Sequence, residues 1–132
     1  MGDAFEMLSI ANTGLGAHQT WLDSLGGNIA NVNTVRATNQ SAFQASFVVF
    51  APRADGGVDV AGVAHSSAQG RLVSMPDSPL ADANGYVRAP DIDMASEMSQ
   101  LIMAQRGYQS SVQVTKTAQD TYSSALSIGE GR

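Results

Sequence analysis

Cysteine is absent from the 132-residue sequence, which excludes a disulfide framework, a thiolate metal site and a cysteine nucleophile. Basic side chains are scarce: seven Lys and Arg against twelve Asp and Glu leave a net charge of -5. A chain so poor in cations cannot neutralise a phosphate backbone or grip an acidic membrane surface, so nucleic acid is not an expected partner. Long apolar runs are also missing. The longest, residues 47–51, falls far short of the ~20 residues of a membrane-spanning helix. Asp3 and Glu6 stand where a secretory signal has its basic start, and Gly, Asn, His and Gln interrupt the first twenty positions, so no cleavable signal is expected.

Charge of either sign is low, at 14% of residues, against roughly a quarter in an average soluble domain. The deficit lies mainly in two long periodic segments. Leu8, Ala11, Leu15, His18, Leu22, Leu25, Ile29 and Val32 alternate spacings of 3 and 4, a heptad seam that predicts a helix over residues 5–33. Met94, Met98, Leu101, Gln105, Tyr108, Val112, Thr115, Gln119, Tyr122 and Leu126 repeat the pattern near the other end. Asp93, after Pro90, is placed to cap that second helix with its carboxylate, and Gly129 marks the expected stop.

Glu6 and Asp23 are the only charges over residues 5–33, and Glu97, Arg106, Lys116 and Asp120 the only ones over 94–128. A helix that faces water usually carries many Lys and Glu, whereas these outer positions hold Ala, Ser, Thr, Asn, Gln and Gly. The seams are weak in themselves, because His18, Gln105, Thr115 and Gln119 fall on core positions. Gly14, Gly16, Gly26, Gly27 and Gly107 each cost ~1 kcal/mol relative to Ala. Neutral faces on weak seams predict burial against other subunits, with the ends only partly ordered in a free monomer.

Between the two periodic segments the composition changes to Val, Phe, Gly and Pro, and all four prolines lie in positions 52–90. Strands are expected over 43–51, 58–64 and 71–74, with Asp55-Gly56-Gly57 as a hairpin turn. The expected fold is α+β: terminal helices paired as an antiparallel or crossed coiled coil around a small β-rich segment. Its boundaries are 1–34, 35–92 and 93–132.

Candidate chemistry is thin. His18 and His65 have no cysteine or paired acid to complete a metal site, and read as a seam residue and a loop residue. Asp82-Ala83-Asn84-Gly85 lacks the spacing and closing Glu of a calcium loop and reads as a turn. Gly14-Leu15-Gly16 has no strand before it and no third glycine, so a dinucleotide fingerprint is not met. Asp77, Asp82, Asp91 and Asp93 would serve a wall-active hydrolase only if two were held ~5 to 10 Å apart across a cleft; turns and caps account for them better. No catalytic residue, cofactor or metal is therefore expected. Arg106 and Tyr108 are the polar residues best suited to contacts between subunits.

Three stretches together resemble the axial proteins of the bacterial flagellum, and most of all those of the proximal rod. The first is Asn28-Ile29-Ala30-Asn31-Val32-Asn33-Thr34, at the end of the first periodic segment. The second contains Pro76, Asp77, Ser78, Pro79, Leu80, Ala81, Asp82, Ala83, Asn84, Gly85, Tyr86 and Val87, followed by Pro90, Asp91, Ile92 and Asp93. The third is Glu97-Met98 with Ala104-Gln105-Arg106-Gly107-Tyr108-Gln109. Gly27, Ser78, Asp91 and Ser111 depart from the residues more usual in that family. The likeness covers residues 8–34 and 74–132.

The resemblance implies a structural rod subunit exported by the flagellar type III apparatus without signal cleavage. Such a subunit polymerises by helix packing in the periplasmic rod of the basal body, as part of the drive shaft and export channel. It further implies other copies of the chain, other rod proteins, the membrane ring, rod-ring adaptors and the export apparatus as partners. Another flagellar axial subunit or a type III inner-rod subunit is the alternative, and 132 residues leave no room for the larger middle domain of distal rod and hook relatives.

Overall fold

The computed structural model describes residues 2–131. Helix α1 spans Gly2–Ala30 and helix α2 spans Met94–Glu130. They run antiparallel: the Phe5 and Tyr122 rings are 6.2 Å apart, Gly14 faces Ser111, His18 faces Gly107 and Asn28 meets Glu97. Each advance along α1 is matched by a similar retreat along α2. At 1.5 Å per residue the helices measure about 43 and 55 Å, so the molecule is elongated. Among the described residues no helix is long and apolar enough to cross a membrane.

Both helix ends differ from the expected ones. α1 stops at Ala30, and the amides of Asn31 and Val32 bond back to the carbonyls of Asn28 and Ile29, three residues earlier, tightening the last turn. Val32 therefore lies beyond the helix that its spacing suggested. Asp93 occupies the N-cap of α2 with extended backbone, but its side chain makes no capping hydrogen bond; only its carbonyl contributes, accepting the Glu97 amide at 3.0 Å. Gly129 is inside α2, which ends at Glu130 with Gly131 as its C-cap.

The interface between the helices is made of small side chains. Ala4 and Ala11 on α1 and Ala104 and Ala118 on α2 are buried, and Leu25 is the one buried large apolar residue of the two helices. On α2 the inward positions are Glu97, Leu101, Ala104, Tyr108, Ser111, Thr115, Ala118, Tyr122 and Ala125, all buried or half-buried. The pattern read from the sequence coincides with these inward positions only in part. Leu101, Tyr108, Thr115 and Tyr122 are common to both patterns, but Met94, Met98, Gln105, Val112 and Gln119 are exposed. Two heptads offset by three residues overlap on α2 and share every second position. The one richer in Ala and Ser faces α1 because small residues let the backbones approach.

Between the helices stand four strands in two separate sheets. β1 (Ser46–Pro52) pairs antiparallel with β2 (Val58–His65), with an irregularity at Val49/Phe50 that gives Phe50 the partner Val60. This hairpin lies along α1, where Trp21 meets Phe50 edge-on with ring centroids 6.3 Å apart. Its turn is closed by Arg53, bound to Asp55 at 2.8 Å and to Asp59 at 3.3 Å. β3 (Arg71–Ser74) pairs antiparallel with β4 (Tyr86–Ala89), whose other edge meets Arg36 through a bridge to Arg88. β4 was not anticipated, although Tyr86, Val87, Arg88 and Ala89 alternate outward and inward, and Val87 and Ala89 are buried.

Candidate assembly surfaces

The polar centre of the molecule is a node joining three elements. Asn28, in the last turn of α1, donates through Nδ2 to the Ser46 carbonyl at 2.9 Å and to Glu97 Oε2 at 3.1 Å. Its Oδ1 accepts the Ser46 amide at 2.8 Å, and Ser24 Oγ donates to the same Ser46 carbonyl at 2.7 Å. Reversing the Asn28 amide would set its oxygen against two acceptors, so the network fixes its orientation. Asn28 is 1% and Glu97 3% exposed, which puts the node out of water. Both residues belong to the quoted motifs, yet their contact was not read from the sequence. The available signal was a polar residue on each helix where apolar ones prevail.

A second contact explains another motif position. His18 Nδ1 lies 2.9 Å from the Gly14 carbonyl and 2.9 Å from Ser111 Oγ. The imidazole fills the space that a side chain at Gly107 would need. Tyr108 is half-buried beside it and Arg106 is exposed.

The segment before β4 is a tight loop built on Asp82. Its Oδ1 accepts the amides of Asn84 at 2.9 Å and Tyr86 at 3.0 Å. These bonds, that to Tyr86 first, hold the carboxyl below its ordinary range. Gly85 has φ +82, and a Cβ there would stand 3.2 Å from Pro76 Cβ, so the turn requires glycine. Pro90 is fully buried, whereas Pro79, Leu80 and Tyr86 face outward. Asp77, Asp91 and Asp93 are exposed and Asp82 is occupied by the turn. Among the described residues no three His, Cys, Asp or Glu stand together to hold a metal ion.

Part of what the molecule presents outward is apolar. On α2, Met94, Met98, Ile102 and Val112 are 38 to 50% exposed and share one flank by their helical spacing. Along α1, Leu8, Leu15, Leu22 and Ile29 are half-buried, with part of each side chain open. Asn31 is half-buried in the turn after α1, Ala30 is exposed at the end of α1, and Leu126 is half-buried in α2. Phe47 and Val49 of the hairpin are 39% and 47% exposed. Their run of apolar residues is of the kind usually covered on both faces.

Residues 83–128 match the family described as flagellar basal body rod FlgEFG protein C-terminal. Over 129 residues the chain is 37% identical to the flagellar basal-body rod protein FlgC of Salmonella typhimurium, covering 94% of this chain and 96% of that protein. The Escherichia coli O157:H7 protein of the same name is 37% identical over the same shares. That of Borreliella burgdorferi is 28% identical over 149 residues, 96% of this chain and 98% of the relative. The likeness to named rod proteins thus runs along nearly the whole sequence, and the chain belongs to the FlgC family of flagellar basal-body rod proteins.

Proposed function

We propose that this chain is a structural subunit of the proximal rod that polymerises through the second heptad of α2. The observation that carries the reading is the exposed flank of Met94, Met98, Ile102 and Val112 beside the intrachain seam. Apolar side chains in that number on one helix flank mark a surface to be covered. A neighbouring helix laid there would touch Leu101 and Tyr108 as well, since both patterns share them. Leu8, Leu15, Leu22 and Ile29 of α1 would form the other wall of the groove.

The partners in this reading are other copies of the chain and other rod proteins, with the membrane ring, rod-ring adaptors and export apparatus as further contacts at the base of the rod. Arg106 supplies a directional contact to a neighbour's carboxylate or carbonyl, and Tyr108 an amphipathic anchor. The role is mechanical and calls on no catalytic residue. Closely packed helices spread torque over many apolar contacts.

The thin alanine-lined core also suits passage through a narrow export channel without signal cleavage, because a chain with little buried apolar surface unfolds readily. Order at both ends is completed on docking. Deleting the protein and imaging basal bodies tests the role: a membrane ring lacking a completed rod is expected, and normal filaments with full motility would refute it.

A further inference from the structure

We infer that Asn28 makes docking of the β1–β2 hairpin conditional on the arrival of α2, so that the later helix locks a segment that precedes it in the chain. The inference rests on the three-way node and not on the assembly reading. The Asn28 amide has one orientation that satisfies Ser46, with Oδ1 toward its amide and Nδ2 toward its carbonyl. That orientation leaves the second Nδ2 hydrogen pointing at Glu97 Oε2, 3.1 Å away. The hairpin thereby sets the direction in which α1 offers a donor to α2.

The converse holds by linkage. Glu97 is 3% exposed, and among the described residues Asn28 supplies the side-chain hydrogen bond to its carboxylate. Burying that group is costly unless a donor is aimed at it. If the hairpin leaves, the Asn28 amide is free to turn its oxygen toward Glu97, and α2 loses its partner. If α2 leaves, water enters the node and competes for both Ser46 bonds.

The far end of the hairpin is held differently: Thr13 Oγ1 accepts the Val58 amide at 3.1 Å and donates to the Ile10 carbonyl at 2.7 Å, entirely on α1. It serves as an internal control. Trp21, the single tryptophan, reports hairpin docking through Phe50.

The test is hydrogen exchange at the Ser46 amide in the full chain. Glu97→Ala, which removes no hydrogen bond made directly to Ser46, is expected to speed that exchange roughly tenfold, about as much as Asn28→Ala, while the Arg88 amide of the β4 bridge changes little. Glu97→Gln keeps an acceptor and retains most of the protection. Ser46 exchange in Glu97→Ala that rises no more than Arg88 exchange would overturn the inference. Should Glu97→Ala fail to fold, urea unfolding of the natural chain decides: Trp21 emission and helical ellipticity are expected to change together, and loss of the Trp21 signal at distinctly lower urea would overturn it.

Discussion

Gly107 and His18 occupy one another's space across the helix pair: a Cβ on Gly107 would come within 2.6 Å of His18 Cδ2 and closer still to Nε2. The ring cannot swing aside without losing its contacts to the Gly14 carbonyl and Ser111. Gly107→Ala should therefore destabilise the monomer by about 1–3 kcal/mol through overpacking, although Ala raises helix propensity by ~1 kcal/mol. Urea titration of the variant reads the loss. Adding His18→Ala should recover part of it, and a stabilised Gly107→Ala chain would show that the helices separate there at no cost.

Thr115 carries a buried hydroxyl with no hydrogen-bond partner. Thr115→Val preserves the shape and removes the unpaired group, so thermal unfolding should show a gain of about 1 kcal/mol. A loss of that size would mean that the hydroxyl has a water or backbone partner.

The Asp82 loop should loosen in acid. Its carboxyl is held below the ordinary range, chiefly by the Tyr86 amide. The contribution of the ionised form is therefore complete above the usual carboxylate value and is lost as pH falls through the lower folded value. Exchange of the Asn84 and Tyr86 amides, followed by NMR, should accelerate over that window. In Asp82→Ala it should be fast at every pH; an unchanged pH profile in that variant would assign the effect to another group.

How much of this was legible in the sequence depends on what each signal measures. Helix number, helix type and the β1–β2 turn at Gly56 followed from periodicity and turn residues, because both are local. The choice between two overlapping heptads on α2 was not local. Spacing favours Met98 and Val112 for their apolarity, whereas packing selects Ala104 and Ala118 for their size. β4 was hidden because its four residues sit within a motif dominated by turn chemistry, and its partners Arg36 and Leu72 are distant in sequence. The node of Asn28, Ser46 and Glu97 spans 69 positions, and pairing at that range leaves no periodic trace.

Charges placed on the exposed flank should separate folding from assembly. Met98 and Ile102 are 44% and 50% exposed, so Met98→Glu with Ile102→Glu should alter monomer stability by no more than about 0.5 kcal/mol. Swimming in soft agar should nevertheless be abolished, since each charge would have to be buried against a neighbour. Normal swimming would leave that flank facing solvent in the rod.

The second heptad is tested most directly with one thiol. The chain has no cysteine, so Met98→Cys introduces a unique probe, and its labelling by a maleimide is compared between the free subunit and isolated basal bodies. The predicted result is ready labelling of the free chain and protection of at least tenfold in the basal body, by analogy with a buried contact at that position. Equal labelling in both states would contradict polymerisation through this face of α2.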